Sequence, residues 1–125
     1  MNDAVVKGVD HVSLLVKSTE QSVEFYQSIL GLELLERPNL GFPGAWLSLG
    51  ENQTLHLLEL PNPYGSIKRP EHGGRDQHFA LSVSGIAVFK QRLDCKGIVY
   101  TESRSGRKAL FFKDLDSNVI ELFEI

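Results

Sequence analysis

Two stretches of this chain echo one another, and a histidine stands near the head of each. "DHVSLLV" runs from Asp10 to Val16, and "QHFALSV" from Gln77 to Val83. Each has the period-two alternation of a half-buried strand. In the first, Val12, Leu14 and Val16 share one face, and His11, Ser13 and Leu15 the other. In the second, Phe79, Leu81 and Val83 oppose His78, Ala80 and Ser82. A histidine opening the small-residue face twice over points to a duplicated unit with a use for that position.

The stretches that follow continue the repeat. "KSTEQSVEFYQSILG" places Ser18 and Gln21 at capping-box spacing and Val23, Tyr26 and Leu30 at helical intervals, with Gly31 as the stop. "SGIAVFKQRLDCKG" spaces Ile86, Phe89 and Leu93 in the same way and ends at Gly97. Three short strand-like runs follow each helix: "LELLE", "AWLSL" and "TLHLLEL", then "IVYTE", "ALFFK" and "NVIELFE". The fold class is therefore α+β, two tandem βαβββ modules of about 6–61 and 75–125 forming one domain over 1–125. "PNPYGSIKRPEHGGRD", between them, is rich in Pro and Gly and reads as an exposed connector or a lid. On this reading His72 within it is solvated. Such a unit has a helix on one face of a small sheet, so the other face also needs cover. Two such sheets curving together would enclose a cavity.

Bulk properties narrow the classes of function. The chain has 125 residues, of which 42% are hydrophobic and 23% charged, and its formal net charge is −3. That is a soluble globular composition with no electrostatic footprint for nucleic acid. No apolar run reaches the roughly 18 residues that a membrane span requires. The N-terminus lacks a signal peptide's apolar stretch, and the single Cys95 excludes an internal disulfide. The expectation is a cytoplasmic protein.

The last strand of each module carries a second pair of matched positions. His56 lies 45 residues past His11, and Glu121 lies 43 past His78. Three imidazoles and a carboxylate suit one divalent metal per site, with Zn, Ni, Co, Mn and Fe all compatible with those donors. The first and last strands of each module must then be neighbours. By the same alternation, Ser13, Leu15, Trp46, Leu58, Ala80 and Phe123 line the cavity. Glu59 and Glu124 fall on the opposite face and read as solvent-facing.

With these stretches in place, the sequence resembles the vicinal oxygen chelate superfamily. That group includes glyoxalase I, methylmalonyl-CoA epimerase, fosfomycin and bleomycin resistance proteins, and extradiol dioxygenases. The resemblance rests on "DHVSLLV", "SVEFYQSILGLELL", "TLHLLEL", "HFALSV" and "FFKDLDSNVIEL", and it spans nearly the whole chain. It implies a U-shaped sheet around a metal, with His11, His56, His78 and Glu121 at the ligand positions. It also implies a homodimer, in which cavities shared between chains are the favoured arrangement. Two departures stand out. Glyoxalase I has glutamate or glutamine where His56 stands, and an arginine where Leu15 stands. Fosfomycin resistance proteins use the set supplied by His11, His78 and Glu121.

The chemistry that follows is metal-dependent isomerisation, lysis or epimerisation of a small substrate. Vicinal oxygens are chelated and an enediolate is stabilised. Glu121 is the candidate general base, with His56 as the alternative. Trp46 is a candidate substrate contact, with a core role the equal alternative. Arg104, Arg107 and Lys108 cluster at a turn and could grip an anionic substrate, with Arg69 and Arg75 of the connector joining them. The competing expectations are a transferase that adds a thiol to an epoxide, and a protein that sequesters a small molecule without turnover.

Overall fold

The computed structural model describes residues 3–125. Each half runs strand, helix, strand, strand, strand. The first has β1 (His11–Leu15), α1 (Thr19–Leu30), β2 (Leu34–Leu35), β3 (Gly44–Gly50) and β4 (Gln53–Leu58). The second has β5 (His78–Val83), α2 (Ile86–Cys95), β6 (Tyr100–Glu102), β7 (Ala109–Lys113) and β8 (Val119–Glu124). A short 3-10 turn, Gly73–Arg75, interrupts the connector. The sheets have the orders β1-β4-β3-β2 and β5-β8-β7-β6. The first strand of each module pairs in parallel with the last, so residues far apart in sequence become neighbours.

Local chemistry sets the helix ends. Ser18 is extended, and its hydroxyl accepts the Gln21 N–H at 3.2 Å. Gly31 closes α1 in the left-handed region at φ 68°, where a side chain would strain the backbone. The two acids read as solvent-facing do something else. Glu59 Oε1 accepts the Thr19 N–H at 2.8 Å, and Glu124 Oε1 accepts the Ile86 N–H at 3.0 Å. Each sits at the end of its module's last strand and satisfies an otherwise orphaned donor at that module's helix start.

The faces separate as alternation requires. Leu47, Leu55, Leu57, Leu110, Ile120 and Leu122 are fully buried beneath the helices. Each such side chain stabilises the fold by about 1.5–3 kcal/mol. One continuous core joins both modules, with Phe25 of α1 in contact with Phe112 of β7 at 6.2 Å between ring centroids. Polar ties reinforce the junction. The Tyr26 hydroxyl donates to Asp114 Oδ2 at 2.6 Å, and burial raises the pKa of both groups. Asn118 Nδ2 donates to the Leu15 carbonyl at 3.2 Å, and Arg92 Nη1 to that of Ile29 at 3.0 Å. The "KDLDSN" turn is thus a clamp between modules as well as a reversal, with Asp114 Oδ1 accepting the N–H groups of Asp116 and Asn118.

The connector covers part of the second module. Gly73 is buried against β7 and β8. A Cβ there would fall 2.6 Å from Phe111 Cβ and 2.9 Å from Val119 Cγ1. His72 is half-buried rather than solvated. Its Nδ1 accepts the Gly74 N–H at 2.9 Å, and its ring lies 5.5 Å from that of Phe111. Among the described residues, no helix is long and apolar enough to cross a membrane.

Candidate functional site

Strand register places the chemistry. In the first module Ser13 is opposite His56 and His56 is opposite Trp46, so His11 begins β1 one pleat along on the same face. In the second, Ala80 is opposite Glu121 and Glu121 opposite Phe111, with His78 one pleat along. The four repeat-matched residues therefore hold the same two addresses in each sheet. An aromatic residue, Trp46 or Phe111, stands beside each fourth-strand position. Leu15, Leu58 and Phe123 share these faces by register.

The two pairs differ in chemistry. His11 and His56 stack at 4.2 Å between centroids, and Trp46 stacks on the other side of His56 at 4.4 Å. His78 Nε2 lies 3.1 Å from Glu121 Oε1, while the His78 ring meets the face of Phe111 edge-on at 5.2 Å. Both first-strand histidines are oriented through Nδ1. His11 donates from it to Asp10 Oδ2 at 2.8 Å, and His78 to the Asp76 carbonyl at 2.8 Å. A carbonyl only accepts, so Nδ1 of His78 carries the proton. In the neutral ring Nε2 is then a lone pair facing a carboxylate. A proton on Nε2 or a shared metal ion can bridge that contact, and the same second-nitrogen anchoring is what metal-bound histidines use. The donor set fits a divalent metal.

His56 is less free. Its Nε2 is 2.9 Å from Thr54 Oγ1. Its pKa is lowered, first by burial, then by the neighbouring His11 against an upward pull from Asp10, with Arg37 adding a further downward push. The ring is accordingly held towards its neutral form.

Within one chain, no three His, Cys, Asp or Glu side chains among the described residues converge on a point that could hold a metal. The four candidates form two half-sites, His11 with His56 and His78 with Glu121. His11, Ser13, His78, Ala80 and Ser82 are exposed on those faces.

The basic cluster disperses. Arg104, Arg107 and Lys108 are exposed in the loop before β7. Arg107 lies 3.8 Å over the ring of Phe123, one pleat from Glu121 on the cavity face. Lys108 Nζ is drawn to Glu124 at 3.7 Å, on the opposite face. Arg69 is held by Asp76 at 2.8 Å and is not a free cation. Cys95 is exposed at the end of α2. Sequence reasoning passed over Arg37, whose guanidinium rests 4.8 Å over the ring of Phe42. It also passed over Asp10, whose carboxylate holds His11, while the Asp76 partner of His78 is a backbone carbonyl that no residue type marks.

Comparison with known proteins gives the family and the fold. The profile of the Glyoxalase/Bleomycin resistance protein/Dioxygenase superfamily matches residues 8–122. The chain is 33% identical to Glyoxylase I 4 of Arabidopsis thaliana, covering 97% of this chain and 72% of that protein. It is 27% identical to the metallothiol transferase FosB of Staphylococcus haemolyticus, covering 94% and 84%. A glyoxalase family protein from Bacillus anthracis superposes with TM-score 0.78 at 26% identity, covering 98% of both chains. The fosfomycin resistance protein FosX from Listeria monocytogenes has the same fold, with TM-score 0.76 at 18% identity and 95% and 91% coverage.

Proposed function

The chain belongs to the glyoxalase/bleomycin resistance protein/dioxygenase superfamily, and from that premise we propose that it is a metal-dependent lyase, isomerase or epimerase of glyoxalase type acting on a small substrate with neighbouring oxygens. The observation that carries this reading is the His78–Glu121 pair. His78 Nε2 and a Glu121 carboxylate oxygen face each other at 3.1 Å, with the imidazole already anchored through its other nitrogen. His11 occupies the matching address in the first module and is anchored in the same way.

A divalent metal held by His11, His78 and Glu121, with or without His56, would supply positive charge beside two neighbouring substrate oxygens. The protein's own part is proton handling and shape. Glu121 takes a proton from the carbon next to the substrate carbonyl and returns it to the adjacent carbon. Phe111 excludes water beside it, and Trp46 offers a flat wall on the other side of the cavity.

The separation of the half-sites within a chain supports a two-fold homodimer, in which His11 and His56 of one chain meet His78 and Glu121 of the other. Two matching sites then form from two chains. A mixing experiment tests the assembly: His11→Ala and His78→Ala chains are unfolded together and refolded. A mixed dimer regains one intact site, because both lesions fall in the other. Failure to regain metal binding in confirmed mixed dimers overturns sharing.

A second reading has its own support. Thr54 already engages His56 Nε2, leaving a three-residue set, and the FosB relative is a metallothiol transferase. Protein purified without an affinity tag should bind one equivalent of Mn, Co, Ni, Zn or Fe per chain. Turnover of hemithioacetals or epimerisable acyl thioesters supports the first reading. Thiol addition to fosfomycin supports the second. Refusal of every metal removes both and leaves sequestration.

A further inference from the structure

The geometry points to Arg37 as the residue that recognises an anionic group, a carboxylate or phosphonate, on the substrate of this cavity. The inference rests on the cavity reading above and adds the substrate's charge to it. Arg37 follows β2 by two residues. Leu35 is opposite Trp46 and Gly44 lies two residues before Trp46, so Arg37 comes to the same side as Trp46 and His56. It lies across Gly44: a Cβ at that position would sit 3.0 Å from Arg37 Cζ and Nη2 and would overlap the Leu57 carbonyl oxygen. The glycine makes the seat for the guanidinium, and Phe42 supports its face.

Among the described residues, the fork makes no hydrogen bond in this seat. Arg37 Nε and Nη2 are both shielded from solvent without a hydrogen-bond partner, and so is Trp46 Nε1. Shielded donors without acceptors are costly, and a cationic fork is the costliest kind. Here one cation and one indole N–H, both unpaired, flank His56 on a single face. Unpaired donors so placed match a ligand that brings oxygens and negative charge. Arg37 as a whole is only half-buried. Rotation about its terminal bonds would turn the fork off Phe42 and exchange a packed but unpaired position for two charge-assisted bonds to one anion. Arg107 rests on Phe123 beside Glu121, and Arg69 is paired with Asp76, so neither stands with Trp46 and His56 on the first sheet.

Methylphosphonate is the probe, titrated calorimetrically into wild type, Arg37→Gln and Arg37→Lys, each metal-free and loaded with Mn. Removal of the guanidinium should weaken methylphosphonate binding by about ten- to hundredfold in both forms, the range for losing hydrogen bonds to a charged group. Arg37→Lys, which keeps the charge but loses the fork, should fall between. The Arg37 Nε–H resonance should shift on saturation, while Mn affinity stays the same in all three proteins. Equal methylphosphonate affinity in the three proteins overturns the proposal, as does absence of binding to wild type. A weaker dimer in Arg37→Gln with unchanged anion affinity also overturns it, because the fork's acceptor is then the partner chain. If Mn fails to bind but methylphosphonate binding still depends on Arg37, the metal reading falls and the anion site stands.

Discussion

The two modules share a frame and differ in what they put on it. Both set a histidine one pleat before the residue opposite the fourth-strand position, and both place an aromatic beside that position. In the first module the result is a stack of Trp46, His56 and His11. In the second it is an imidazole–carboxylate pair edged by Phe111. The connector, through Gly73 and His72, roofs the second. The backbone addresses are the same in both halves, while the side chains there differ: stacked imidazoles beside an indole in the first, an imidazole and a carboxylate in the second. Register is inherited as a unit, because a one-residue slip would turn every side chain to the wrong face. Residue identity at a given address carries no such constraint.

The comparison is best broken at its donors. Glu121→Ala or His78→Ala should weaken metal binding by about a hundredfold or more, beyond the roughly 10–100-fold cost of losing a group that only orients a ligand. His56→Ala should cost markedly less, because Thr54 already holds one of its nitrogens. Equal losses at His56 and Glu121, read from metal isotherms, would make the two halves chemically equivalent. The roof comes next. Gly73→Ala forces a methyl into Phe111 and Val119 and should destabilise the protein by about 1–3 kcal/mol in urea unfolding. An unchanged midpoint would mean that the strap lies loosely on the second sheet.

Helix starts sharpen the contrast at a smaller scale. Ser18→Ala should lower stability by about 1 kcal/mol. Gly85, at the matching position of the second module, makes no side-chain cap bond, so α2 relies more on Glu124. The smallest expected effect is in acid. The Ile86 N–H, and then Lys108, hold the Glu124 carboxyl below its ordinary value. Its contribution is therefore present above the ordinary glutamate range and is lost as pH falls through its lowered value. Glu124→Gln should flatten that part of a stability-against-pH curve. A mutant curve parallel to wild type down to acid unfolding would remove Glu124 from the account.

Much of this was legible in the sequence, for a physical reason. Strand alternation and helical spacing are local, so β1, β5, β8, both helices and the cavity-face addresses follow from neighbours in the chain. Ser18, Gly31 and the matched histidines belong to that class. Glu59 and Glu124 do not. Each meets its helix about 40 residues away in sequence, and nothing local marks a strand-end acid as a cap. His72 was misread because a Gly-rich loop looks solvated until Phe111 is placed beneath it. The separation of the half-sites depends on how two modules dock, which no period records. Arg37 became visible only once Gly44 was seen to make room for it.

The clamp formed by Tyr26, Asp114 and Asn118, with Phe25 against Phe112, makes the covalent link between halves less important than it looks. Attachment is supplied by the shared core and by side chains bonding across the junction, not by the run from Pro61 to Arg69. A peptide bond cut in that run would leave two pieces still docked, each end free in solvent. A cut or an inserted peptide in that exposed run should therefore leave both sheets in place.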